Sequence, residues 1–234
     1  MITTVLFDLD GTLLPMDQDV FIADYFRRLA ATLGKHGYDP QRLTQTIWQG
    51  TAAMVTNDGS RTNEEAFWEA AEKGLGPGIR QDKPLFDDFY LKEFDKIREV
   101  CGFNPLSSQI VRELKAAGKR VILATNPLFP AVATQCRIRW AGLQPEDFEW
   151  ITTYENSHYC KPNPDYYRQI LQLRGLQPEE CVMVGNDAQE DVAAQSLGIR
   201  VFLLTDCLIN KKNLDLSPYP HGDMMALQQF LRQL

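Results

Sequence analysis

Asp8 and Asp10 stand two residues apart in the run Phe7-Asp8-Leu9-Asp10-Gly11-Thr12-Leu13. The apolar stretch before them reads as a strand, and Gly11 is where the chain turns. Side chains alternate along a strand, but a turn at Gly11 lets both carboxylates face one site. Two carboxylates that close repel each other unless they share a cation or a proton. The pair therefore suits metal binding, nucleophilic attack and general acid–base work. Asp-Gly alone would read as a turn and nothing more. The whole run is what points to chemistry.

Three further polar clusters follow other apolar runs. In Leu123-Ala124-Thr125-Asn126-Pro127, a hydroxyl and a backbone N–H suit a phosphate oxygen. Thr-Asn-Pro also makes an ordinary turn. In Tyr159-Cys160-Lys161-Pro162-Asn163-Pro164, the prolines fix a helix start and hold Lys161 beside it. An ammonium there binds phosphate and offsets clustered carboxylates, although a solvated lysine is an equal reading of that segment alone. Val184-Gly185-Asn186-Asp187-Ala188-Gln189-Glu190-Asp191 offers acidic oxygens suited to Mg²⁺. The blander reading has Asp187 capping a helix and Asp191 favouring its first turn.

The elements that must position these clusters form a regular series. Strand-length apolar runs occupy Thr4–Leu9, Arg120–Ala124, Glu149–Thr153, Cys181–Val184 and Arg200–Leu204. Their hydrophobicity is continuous, as in parallel strands buried on both faces. Helical patterns cover Ser107–Ala117, Phe129–Trp140, Asp165–Arg174, Ala188–Leu197 and Met224–Leu234. Alternation of this kind predicts an α/β, doubly wound parallel sheet. In such a sheet ligands bind beyond the carboxyl ends of the strands, so all four clusters should meet at one edge.

One stretch breaks the rhythm. Val20–Leu33, Gln41–Val55, Asn63–Lys73 and Pro84–Val100 are amphipathic, with no strand among them. Thr62 and Glu65 fit a capping box opening the third. The segment is too long for a loop. It predicts a smaller all-helical domain over residues 16–102, inserted after the first strand of a core made of 1–15 and 103–234.

Composition narrows the classes. Of 234 residues, 44% are hydrophobic and 24% charged, so disorder and fibrous folds are excluded as global descriptions. A formal net charge of −7 argues against general nucleic-acid binding. The odd set of 5 cysteines, at 101, 136, 160, 181 and 207, makes no C-x-x-C and reads as reduced thiols. The first residues carry no cationic leader, and no apolar run is long enough to span a bilayer, so a cytoplasmic location is expected.

As a set, the four clusters resemble the four motifs of the haloacid dehalogenase-like (HAD) superfamily, in order, over residues 1–15 and about 103–206. The helical insertion resembles that family's C1 cap. The resemblance implies a Mg²⁺-dependent phosphohydrolase with Asp8 as nucleophile, forming an aspartyl-phosphate, and Asp10 as general acid and base. It implies that Thr125 and Asn126 bind the phosphoryl group and that Lys161 neutralises charge. Metal ligands would be Asp8, the Asp10 carbonyl and Asp187, with Asp191 steadying the site or binding through water. Asp10 argues against the dehalogenase branch, which lacks the second aspartate because a halide leaves without a proton. Gly185-Asn186-Asp187 departs from the Gly-Asp of many relatives. Either Asp187 or the Asn186 amide oxygen is the ligand, and Asp187 is favoured as a carboxylate.

In the cap, the turn Asn57-Asp58-Gly59-Ser60-Arg61-Thr62 is a candidate specificity loop. Arg61 is placed there as a contact for an anionic substrate and Trp48 as a pocket wall. Their plainer readings are a solvated arginine and, with Trp68, cap core. His36, His158 and His221 stand in no ligand spacing. The expected substrate is a small phosphorylated metabolite, such as a sugar phosphate, phosphoglycolate or a nucleotide. No membrane partner is expected, and the chain is expected to act as a monomer or homodimer. The competing functions are a phosphomutase of the β-phosphoglucomutase kind and a non-catalytic metabolite-binding protein on the same fold.

Overall fold

The computed structural model describes residues 1–234. Six strands form one parallel sheet: β1 (Thr4–Phe7), β2 (Arg120–Leu123), β3 (Trp150–Ile151), β4 (Cys181–Gly185), β5 (Arg200–Leu204) and β6 (His221–Gly222). Their spatial order is β3-β2-β1-β4-β5-β6. The strand order reverses beside β1, so the crevice between the ends of β1 and β4 is where a doubly wound sheet places its ligand. Thr4 to Phe7 pair with Arg120 to Leu123 on one side and with Cys181 to Val184 on the other.

All four β1 residues are buried. Alternation sends Val5 and Phe7 to one apolar layer and Leu6 to the other. The Val5 side packs beneath α5 (Pro105–Ala116), α6 (Ala131–Trp140) and α8 (Met224–Arg232). The Leu6 side packs beneath α7 (Pro164–Arg174), through Tyr166, Tyr167 and Ile170, and beneath a 3₁₀ segment, Val192–Leu197, through Ala194. The sequence pattern predicts an α-helix over Ala188–Leu197. The segment is instead a turn followed by 3₁₀ helix, because Asp187 and Asp191 bind backbone N–H groups of their own loop.

Between β1 and α5 lie four helices: α1 (Gln18–Leu33), α2 (Pro40–Val55), α3 (Asn63–Leu75) and α4 (Lys83–Lys92). The capping box of Thr62 and Glu65 opens α3 as its spacing predicts. Pro84–Val100, read from sequence as one helix, breaks after Lys92 and resumes as 3₁₀ helix over Phe94–Val100. The break seats Phe94 against Phe21, Phe89 and Trp140, where a continuous helix would give it a different azimuth. The Trp140 ring stacks on Phe94 at 5.3 Å, and its indole N–H donates to Asp95 at 2.7 Å. No helix is long and apolar enough to cross a membrane.

Away from the crevice, Glu149 ties three elements. Its carboxylate accepts from Arg120 at the start of β2 at 2.6 and 2.7 Å, and from Arg174 at the end of α7 at 2.5 and 3.1 Å. Arg120 above all, then Arg174, pulls its pKa down to about 2. A carboxyl held below its unfolded value of 4.5 stabilises the fold fully above that pH and loses the contribution as pH falls toward 2. Glu149→Gln is expected to lower unfolding stability by about 1 kcal/mol at pH 7. The gap from wild type should narrow as the pH is lowered from about 4.5, read by urea unfolding across that range.

Candidate active site

The first turn of the site is set by close packing. The Asp8 N–H donates to Val184 at 2.8 Å, prolonging the β1–β4 pairing by one residue. The chain then reverses at Gly11, which has φ +80°. A Cβ there would sit 2.3 Å from Asn186 Nδ2, so both the conformation and the contact require glycine. Beyond the turn, the buried Thr12 hydroxyl donates to Asn186 Oδ1 at 2.9 Å and, more weakly, to Asp8 Oδ2 at 3.3 Å. Asn186 Nδ2 donates to the Cys207 carbonyl at 2.8 Å, which fixes the amide's orientation. At the end of β4, a Cβ on Gly185 would meet Asp191 Oδ2 at 2.0 Å.

Lys161 is the hub. Its side chain is wholly buried, 2.9 Å from Asp8 Oδ1 and 2.7 Å from Asp191 Oδ1. Asp191 Oδ2 accepts the Asp187 N–H at 2.9 Å. Burial works against the lysine's charge, but Asp191 and Asp8 outweigh it and hold the ammonium protonated. Asp8 behaves in the opposite sense. Burial pushes it up to about 7, Lys161 opposes, and Asp191 and Asp10 add to the rise. The buried acids around this one ammonium leave the cluster short of positive charge.

Glu190 makes the shortage larger. Its carboxylate accepts from Asn126 Nδ2 at 2.9 Å, and burial pushes it up to about 8. When ionised, Asp8, Glu190 and Asp191 would together set three negative charges against one ammonium. Asn126 Oδ1 meanwhile accepts the Lys161 N–H at 3.2 Å, so Asn126 joins the segments after β2, before α7 and after β4. Thr125, one residue past Ala124, is buried. Its carbonyl accepts from the hydroxyls of Thr152 at 2.6 Å and Tyr166 at 2.8 Å.

Asp10 has its own cation. Its Oδ2 pairs with Arg137, a guanidinium on α6 only 1% exposed. The Arg137 guanidinium lies over the Phe129 ring, 4.5 Å from its centroid. Asp10 Oδ1 is buried and has no hydrogen-bond partner. Burial pushes the Asp10 carboxyl above its ordinary pKa, with Arg137 and then Lys161 opposing.

No three His, Cys, Asp or Glu side chains converge as a ready metal cluster. The oxygens at hand are of mixed kind: Asp8 Oδ2, the Asn186 amide oxygen, and the Asp10 carbonyl, to which no backbone amide donates. Mg²⁺ is commonly held by one or two carboxylates with several waters, so this donor set and its surplus of negative charge fit that ion.

Residues 2–205 match the family described as haloacid dehalogenase-like hydrolase. The chain belongs to this family of hydrolases. It is 27% identical over 200 residues to pyrophosphatase PpaX of Bacillus cereus, covering 85% of this chain and 81% of that protein. In fold it is similar to an HAD phosphatase from Thermococcus onnurineus, with TM-score 0.61, 18% identity and 98% of each chain covered. It is also similar in fold to a 2-haloacid dehalogenase from Pseudomonas syringae, with TM-score 0.63, 18% identity and 100% and 99% covered. Both branches of the family share the fold, so the side chains of the site must decide between them.

Of the residues singled out from sequence, the family fold brings Asp8, Lys161 and Asp191 into direct contact and sets Asp10, Asn126 and Asn186 around them. Asp187 turns back. Its Oδ1 accepts the N–H groups of Gln189 and Glu190 at 2.7 and 2.9 Å, while Asn186 is the residue bonded into the Asp8 group through Thr12. Arg61, placed from sequence as a substrate contact, lies at the surface. It pairs with Glu69, and both side chains are more than 40% exposed. Other residues of its loop reach the core. Asn63, fully buried, donates to the Pro127 and Tyr159 carbonyls at 3.4 and 3.3 Å, and Asn57 holds it through a 2.9 Å bond.

Arg137 and Glu190 carry functional geometry that sequence reasoning passed over. Ala133, Thr134 and Ile138 define the buried face of α6, and Arg137 falls on that face. A cation on the inward face of the helix after the second cluster was the available signal.

Proposed function

We propose that this chain is a Mg²⁺-dependent phosphatase of small phosphate monoesters, working through an aspartyl-phosphate on Asp8. The observation that carries the reading is Asp10: a second, partly buried carboxylate beside Asp8, with one oxygen anchored by Arg137 and the other without a partner. An alkoxide leaving group needs a proton and a halide does not, so the free Oδ1 suits ester cleavage. Identity with the PpaX relatives supports the same class.

Asp8 attacks phosphorus and Asp10 Oδ1 gives its proton to the departing alcohol oxygen. The same oxygen then takes a proton from the water that opens the acyl phosphate. Lys161 holds Asp8 Oδ1 and so leaves Oδ2 as the attacking or metal-facing atom. Thr125 and Asn126 bound the phosphoryl pocket at the end of β2. Mg²⁺ would be held by Asp8, the Asp10 carbonyl and, of the two neighbours after Gly185, Asn186, where it would cancel repulsion between nucleophile and phosphate.

Residues 16–102 act as the cap. Met16 pairs antiparallel with Cys101, and the Gly102 N–H donates to the Pro15 carbonyl at 2.7 Å, so the two crossings form one narrow hinge. Closure would exclude water from the crevice. The test is phosphate release from p-nitrophenyl phosphate. Release is expected with Mg²⁺ and should disappear on chelation and return on adding the ion back. Hydrolysis undiminished by chelation would overturn the metal assignment, and no hydrolysis of any ester would overturn the function.

A further inference from the structure

The Asp10 carboxylate has one hydrogen-bond partner, Arg137, and its Oδ1 has none. Lys161 bonds Asp8 and Asp191 rather than Asp10. Asp10 lies past the end of β1, just before the turn at Gly11. The terminal torsion of an aspartate is broad and roughly two-fold, so it sets no orientation by itself. What aims Oδ1 is the grip on Oδ2.

That grip is itself fixed. The Arg137 Nε–H points back to the Ala133 carbonyl and Nη2 to the Thr134 hydroxyl, both at 3.4 Å and both within α6. The Phe129 ring backs the guanidinium. That ring is wedged edge-on against two residues of α1, Phe21 at 6.1 Å and Tyr25 at 5.4 Å between centroids. Nη1 is left to donate to Asp10. A buried ion pair is weak evidence for stability, because an apolar side chain would fill the space with no charge to desolvate. What a planar guanidinium adds is direction. α6 also begins soon after the loop of Thr125 and Asn126, so the helix that follows the phosphoryl pocket carries the anchor of the acid–base group.

We infer that Arg137 is a positioning residue: by holding Oδ2 it aims Asp10 Oδ1 at the ester oxygen, and this aim extends the activity from aryl esters to esters of aliphatic alcohols. The inference rests on the phosphatase reading and narrows its substrate class. As the bond from Asp8 to phosphorus forms, the ester P–O bond breaks and its electron pair stays on the departing oxygen. That oxygen takes the proton of Asp10 Oδ1. A nitrophenolate departs with little help, whereas a methoxide is strongly basic and departs only as methanol. A carboxyl free to turn would misplace the proton, and a misplacement of about 1 Å can cost about 100-fold. The loss therefore scales with the basicity of the leaving oxygen, which a role confined to the fold would not produce.

The experiment measures kcat/KM for p-nitrophenyl phosphate and methyl phosphate with Mg²⁺, in wild type, Arg137→Met, Asp10→Asn and the double variant. This constant covers the steps up to departure of the alcohol, so later hydrolysis of the aspartyl-phosphate does not enter it. Arg137→Met should lower it about 100-fold or more for methyl phosphate and less than about tenfold for p-nitrophenyl phosphate. In the Asp10→Asn background the same substitution should leave the ratio of the two substrates within about twofold, since residues that act as one unit are not additive. Where Arg137→Met does not melt cooperatively, Arg137→Lys takes its place. A point charge without the planar fork should shift the ratio in the same direction by at least about threefold. Equal loss with both esters, no loss, or a full second shift in the Asp10→Asn background overturns the positioning role and leaves the phosphatase intact. Absence of turnover with both esters in wild type overturns the phosphatase reading and the inference with it.

Discussion

Asp8→Asn is expected to cut phosphate release from an aryl phosphate by about 10⁴-fold or more while leaving the protein folded. The activity loss follows from chemistry, since an amide oxygen cannot form the acyl phosphate. The intact fold follows from charge. Lys161 faces two buried carboxylates, and removal of one leaves a matched pair with Asp191. Asp8 is an acid whose burial raises it to about 7, which means that its charged form is held at a cost. Neutral asparagine escapes that cost, so its melting temperature should equal or exceed that of wild type. Calorimetry beside a phosphate-release assay checks both halves. Substantial residual turnover would remove Asp8 as nucleophile, and a large fall in melting temperature would show that the carboxylate supports the fold.

Lys161→Met carries the largest expected effect on stability. The lysine is the one cation between Asp8 and Asp191, and the variant leaves two carboxylates buried together without it. Breaking a buried pair in this way typically costs about 3–5 kcal/mol, a large share of a domain's total. The sign with pH is definite. Asp8, raised to about 7 by burial even with the lysine beside it, loses the charge that opposes that rise, so the native state prefers it protonated. The penalty is smallest near the unfolded value of 3.8, grows as pH rises, and is complete above the folded value. Urea unfolding at pH 5 and pH 8 should show the variant closer to wild type at the lower pH. A small loss without pH dependence would contradict the ion triad.

Much of the architecture could be read directly. Continuous apolar runs marked β1, β2, β4 and β5 to within a residue or two, because strands buried on both faces admit little else. The two-residue β6 escaped notice, since His221 and Gly222 offer no hydrophobic run and are recruited by pairing with Leu203 and Leu204. Pro84–Val100 and Ala188–Leu197 kept helical periodicity but yielded to tertiary demands, the seat of Phe94 in one and aspartates binding loop amides in the other. Residue type identified the acids and Lys161, but not where they point. Carboxylate affinity favours Asp187 over Asn186 from sequence, and residue type could not show that Asp187 Oδ1 accepts two N–H groups of its own loop. Arg137 was invisible for a different reason, because its partner Asp10 lies 127 positions away and pairing over that span leaves no local pattern.

The paired crossings at Met16 and Cys101 have a topological consequence. The chain leaves the sheet layer and returns at almost the same point, so for the α/β unit the whole excursion amounts to a closed bight. Lengthening, shortening or exchanging it adds little loop-closure entropy and does not disturb the strand order. Selectivity can therefore be rewritten in the excursion while the acids and the lysine stay where the sheet puts them.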